Sequence, residues 1–145
     1  MMFLLDTNVV SELRKIRLGK ADPGVEQWAD SVDAGSLNIS AITILELEIG
    51  ILQLERKDPR QGTVLRTWLD TLVLPEFDGR IFPVDTAVAQ RCARLHVPDP
   101  RAERDAFIAA TALVHGMTVV TRNVADFAPT GVALLNPWNC SSGSD

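Results

Sequence analysis

The chain has 145 residues, 46% of them hydrophobic and 23% charged, and carries a net charge of −5. That apolar content supports one folded core and excludes disorder, while the acidity excludes a protein that coats duplex nucleic acid through a broad basic face. No apolar run reaches the roughly 18 residues of a membrane span and no signal-type leader opens the chain, so a cytoplasmic protein without a membrane partner is expected.

Residues 3–5 predict a short buried strand that stops abruptly on Asp6. Residues 7–15 can then form a helix turning Val9, Val10 and Leu13 inward. Gly19 to Gly24 breaks the pattern, a weak helix spans 25–32, and "SLNIS" alternates as a strand whose Ser40 can cap the next helix. That helix, "AITILELEIGILQLERK", carries two apolar stripes: Ile44, Leu47, Ile51 and Leu54 on one, Leu45, Ile49 and Leu52 on the other. Two stripes need two neighbours, the domain's own sheet and a second subunit, so a homodimer is expected. "KDPRQG" ends the helix. A helix over 63–74, a strand over 80–84 and a helix over 86–97 aligning Val88, Cys92 and Leu95 follow. Residues 98–104 read as a loop, 105–116 as a helix apolar nearly all round and stopped by Gly116, 117–121 as a strand, 122–129 as a loop, and 132–136 as a last strand. One domain over 1–138 and a polar tail over 139–145 are expected. Cys92 and Cys140 have no metal-ligand spacing and read as free thiols.

Strands alternating with helices imply a three-layer α/β/α sandwich around a mostly parallel sheet. Ligands of such sheets sit at the carboxyl ends of the strands. Asp6, Glu46, Asp105 and Asp126 all map to that edge. Singly, three have plain structural readings: Asp105 as a helix cap, Asp126 as a turn former, Glu46 as an exposed helix residue. Asp6 is harder to dismiss, because its strand is buried and no basic residue lies near it in sequence. Jointly, four carboxylates would repel one another and raise their pKa values unless a divalent cation joined them. Hard oxygen ligands suit Mg2+ or Mn2+, and such a site favours phosphodiester hydrolysis. Thr7, Asn8, Thr121 and Asn123 can orient ligands or waters around it. Ala109 and Ala112 leave little bulk beside Asp105 or permit close helix packing, and Gly50 can admit a neighbouring backbone.

Arg14, Lys15, Arg17 and Lys20 form one basic cluster, and Arg91, Arg94, Arg101 and Arg104 form another. Either can be a solvated face. If they flank the acids, Arg14, Arg17, Arg101 and Arg104 are the phosphate contacts. His96 and His115 read as cationic helix caps, and Trp28, Trp68 and Trp138 as core or interface anchors.

Four blocks, "LLDTNVVSEL", "ITILELEIGI", "RDAFIAATALVHGMTVVTRNVADF" and "VALLNPW", resemble in their order the PIN-domain ribonucleases, above all the toxins of VapBC- or FitAB-type pairs. The resemblance implies a three-layer sandwich and an RNA substrate cleaved with Mg2+ or Mn2+ held by Asp6, Glu46, Asp105 and Asp126. It implies Glu46 rather than Glu48, because the family glutamate stands four residues before a glycine, here in "ELEIG". It further implies a homodimer and a cognate antitoxin whose C-terminal segment enters the acidic pocket. Two other classes compete. A phosphatase of the haloacid-dehalogenase type needs an aspartate where Asn8 stands, and a receiver domain needs a lysine near the last strands. The non-enzymatic alternative is a module that binds metal or a basic peptide without turnover.

Overall fold

Leu4 and Leu5 are fully buried, and with Phe3 they form β1 (Phe3–Leu5), the middle strand of a five-stranded sheet. The structure is a computed structural model that describes residues 1–140. The strand order is β3-β2-β1-β4-β5, with β2 (Leu37–Ser40), β3 (Ile81–Phe82), β4 (Thr118–Val120) and β5 (Leu134–Leu135), and every pairing is parallel. Phe3 stands opposite Leu37 on one side and Thr118 on the other. Burial on both faces explains why β1 reads as a continuous apolar run.

Alternate residues of β1 serve two cores. Phe3 and Leu5 pack with Val9 and Val10 of α1 (Thr7–Arg14), Trp28 of α2 (Pro23–Ser31), and Leu47 and Ile51 of α3 (Ala41–Lys57). α4 (Pro59–Trp68), a π-turn at Leu69–Val73 and α5 (Leu74–Glu76) complete this layer. Leu4 points the other way, towards Val88 and Cys92 of α6 (Thr86–Leu95), Ile108 of α7 (Glu103–His115) and Phe127 of α8 (Val124–Phe127). The result is the expected three-layer α/β/α sandwich. Side chains of Asp6, Asp22, Ser40, Asp58 and Asp85 accept N–H groups at helix starts, and Gly116, at φ 67°, ends α7.

Several details differ from the sequence expectations. α4 begins at Pro59 rather than residue 63, because Asp58 accepts the Gln61 N–H and proline fills the first helical position. Residues 122–129 are not simply a loop: α8 forms there, a single turn from Val124 to the buried Phe127. α7 starts at Glu103, so Asp105 lies inside the first turn, and the cap position belongs to Ala102. A Cβ at Gly50 would meet nothing within 4 Å, whereas one at Gly62 would lie 2.6 Å from Glu55 Cα, so the glycine that permits close approach is where α4 crosses α3. Ala109 and Ala112 are wholly buried in the second core. His96 Nδ1 accepts the Arg101 N–H at 3.1 Å, a bond a cationic imidazole cannot make. His115 packs against the Phe82 ring.

The two stripes of α3 part company. Leu47 and Ile51 are buried, while Leu45 and Leu52 remain 45% and 53% exposed. Trp28 is buried edge-on to Phe3, and Trp68 and Trp138 are half-buried against the same core. Cys92 is a buried free thiol whose pKa burial pushes up. The Cys140 side chain and tail residues 141–145 lie outside the described residues.

Candidate active site

Asp6 continues the line of β1: its N–H donates to the Val120 carbonyl at 2.9 Å. The sheet order reverses between β1 and β4, which opens a crevice at their carboxyl ends. Asp6 is 5% exposed there, yet well supplied with donors. Oδ1 accepts the Thr7 N–H at 2.8 Å, and Oδ2 accepts the Thr121 hydroxyl at 2.8 Å and the Asn8 amide at 3.3 Å. Burial raises its pKa, the Thr121 and Thr7 bonds pull it back, and the charges of Glu46 and Asp126 add to the rise. Asp6 therefore caps α1 and also presents a desolvated carboxylate.

Glu46 arrives from the second turn of α3. Its Oε1 accepts the Thr7 hydroxyl at 2.5 Å, and its Oε2 lies 3.7 Å from Arg104 Nη1. Thr43, buried one turn earlier, sets its hydroxyl oxygen 3.3 Å from that of Thr7. Sequence reasoning passed over Thr43; its only signal is the three-residue spacing from Glu46. Asp105, half-buried in the first turn of α7, is pushed up to about 6, first by burial and then by the charges of Asp6, Asp126 and Glu46.

Asp126 is exposed on the first turn of α8 and influences Asp6 and Asp105 through its charge. The linking segment is pinned from below. Thr121 Oγ1, besides donating to Asp6, accepts the Asn123 N–H at 2.9 Å, and Asn8 Oδ1 accepts the Arg122 N–H at 3.3 Å. Of Asn123, then, it is the backbone that joins this network.

The arginines separate by role. Arg14 and Lys15 border a groove of about 330 Å³ shared with Thr7, Glu46 and Trp68. Arg14 and Arg17 border a more apolar groove of about 360 Å³ beside it. Arg104 reaches one of the acids, Glu46, directly. Arg101 is turned to the fold: its Nε donates to the Leu95 carbonyl at 3.2 Å, closing the α6–α7 loop.

Every donor facing the crevice is a carboxylate, hydroxyl or amide, which is the ligand chemistry of a hard divalent cation. Among the described residues no three acidic, histidine or cysteine groups converge as a ready-made metal cage. A site for Mg2+ or Mn2+ would need no such cage, since these ions keep several waters and take one or two carboxylates together with substrate phosphates.

The PIN domain family profile matches residues 3–129, a span that contains all four acids. The chain belongs to the PIN domain family. This PIN domain is 39% identical to the toxin FitB of Neisseria gonorrhoeae over 145 residues, covering 95% of this chain and 99% of that protein. It is 35% identical to the VapC ribonuclease Y4jK of Sinorhizobium fredii over 142 residues, covering 94% and 98%. Among solved structures, FitAcB of N. gonorrhoeae matches this PIN domain with a TM-score of 0.84 and 37% identity over 94% of this chain and 99% of that one.

Proposed function

We propose that this PIN domain is a metal-dependent endoribonuclease that serves as the toxin of a toxin–antitoxin pair, with RNA as substrate and a cognate antitoxin as partner. One observation carries the reading: Asp6, Glu46 and Asp105 come from three different elements to the carboxyl edge of the sheet, where burial first and neighbouring carboxylates second raise Asp6 (Glu46 and Asp126) and Asp105 (Asp6, Asp126 and Glu46). The kinship with FitB and a VapC ribonuclease over nearly the whole chain supports it. No helix among the described residues is long and apolar enough to cross a membrane. RNA and antitoxin are cytoplasmic molecules, and the cytoplasm is the proposed location.

One or two of Asp6, Glu46 and Asp105 would hold Mg2+ or Mn2+, with waters and substrate phosphate completing the shell and Asp126 acting at the rim. When bound, the ion would supply an acidified water and neutralise charge on the scissile phosphate. The chain's own groups do the positioning. Thr7 fixes Glu46 through its hydroxyl and Asp6 through its N–H. Thr121 and Asn8 hold the second oxygen of Asp6. Arg14, which borders a groove with Glu46, and Arg104, which pairs with Glu46, can meet RNA phosphates, which supplies affinity without reading sequence.

Induced expression in bacteria tests the toxin role. Wild type is expected to arrest growth, and Asp6→Asn or co-expression of the antitoxin to relieve the arrest. Unimpaired growth with wild-type protein at full level would reject it.

A further inference from the structure

Arg104 is the one cation within ion-pair distance of a crevice carboxylate among the described residues. It stands beside Asp105 on the first turn of α7, its side chain 51% exposed, and touches the Glu46 oxygen that Thr7 leaves free. A pair at 3.7 Å whose cation is half exposed, although Glu46 is only 24% exposed, is weak and exchangeable. A guanidinium is equally suited to a carboxylate and to a phosphate.

We propose that Arg104 is a resident counter-ion that hands Glu46 over. In the free protein it neutralises Glu46; when the divalent cation and RNA enter, Glu46 turns to the cation and the guanidinium transfers to an RNA phosphate. This rests on the metal-nuclease reading above. It makes Arg104 a positioning residue with effects of opposite sign on the two ligands, since it competes with the metal and assists the RNA.

The test measures Mn2+ binding without RNA by paramagnetic resonance of the free ion. RNA binding is followed separately by anisotropy of a 2′-O-methyl oligonucleotide that cannot be cleaved. Arg104→Gln is expected to bind Mn2+ about two- to fivefold more tightly, the range of one exposed ion pair. The same variant is expected to bind RNA more weakly, with the salt slope shallower by about one. Arg104→Lys returns both towards wild type. Arg14→Gln removes a charge bordering the same groove without an ion pair to Glu46, and is expected to leave Mn2+ affinity unchanged. Unchanged or weaker Mn2+ binding in Arg104→Gln overturns the hand-over, as does an equal gain in Arg14→Gln, which would mark a general field. If wild type neither binds Mn2+ nor loses RNA cleavage on chelation, the metal reading falls with it. If wild type does both and Arg104→Gln lacks the opposed shifts, the hand-over alone falls.

Discussion

Asp105 sits partly buried opposite three other acids, with its pKa pushed up to about 6 from an ordinary 3.8. The folded state thus binds its proton more tightly than the unfolded chain does. The stability this contributes is complete below about pH 4 and is lost as pH rises through about 6. Asp105→Asn cannot ionise, so without metal it is expected to be more stable than wild type at pH 7.5, by about 1 kcal/mol after allowance for partial exposure, and no more stable at pH 4. Denaturant unfolding at the two pH values measures this. Wild type should also bind Mn2+ more tightly as pH rises through about 6, because the ion needs the ionised carboxylate. Thr7→Val removes the hydroxyl that holds Glu46; with circular dichroism unchanged, cleavage is expected to fall about 10- to 100-fold. The buried place of Asp6 at the end of β1 was legible in sequence, because the apolar run carries straight into it. Asp105 was ambiguous, since an acid at a helix start reads equally as a cap, and only its place inside the first turn separates the two. Thr43 was silent, one threonine within an apolar helix. Arg101 and Arg104 look alike in sequence, and only the fold turns one to a carbonyl and the other to Glu46.

At the scale of elements, α3 and α4 meet where Gly62 lies against Glu55, and Arg66 ties them together through Glu48 at 2.9 Å and Glu55 at 3.4 Å. Gly62→Ala would drive a methyl group into backbone that has little room to yield. A loss of about 1–3 kcal/mol is expected, read as a lower unfolding midpoint; an unchanged midpoint would show that the helices can shift apart. Elements with a strong period were legible: β1, α1, α3 and α6 lie where their apolar spacing predicts. Those that depend on a partner were not. α8 is too short to show a period and folds because Phe127 fills the core beside α7. The early start of α4 depends on Asp58, which closes one helix and opens the next.

At the scale of the molecule, Leu45 and Leu52 leave an apolar stripe of α3 facing outward. We expect it to be the seam of a homodimer, so Leu45→Asp with Leu52→Asp should sediment as a monomer of unchanged helicity. A wild-type monomer, or a dimer that survives both changes, would contradict this. The net charge of −5 leaves any RNA contact to local cations: Arg104 beside Glu46, and Arg14 and Arg17 along the neighbouring grooves. Arg14→Glu with Arg17→Glu is expected to weaken RNA binding and flatten its salt dependence. The central claim is that the acids of the crevice act through a divalent cation on RNA. It is tested most directly by cleavage of an end-labelled RNA with purified protein, with and without Mg2+ or Mn2+. Wild type should cut only when the ion is supplied and stop on chelation, and folded Asp6→Asn should not cut at all. Cleavage that persists in the chelator, or in Asp6→Asn, would contradict it.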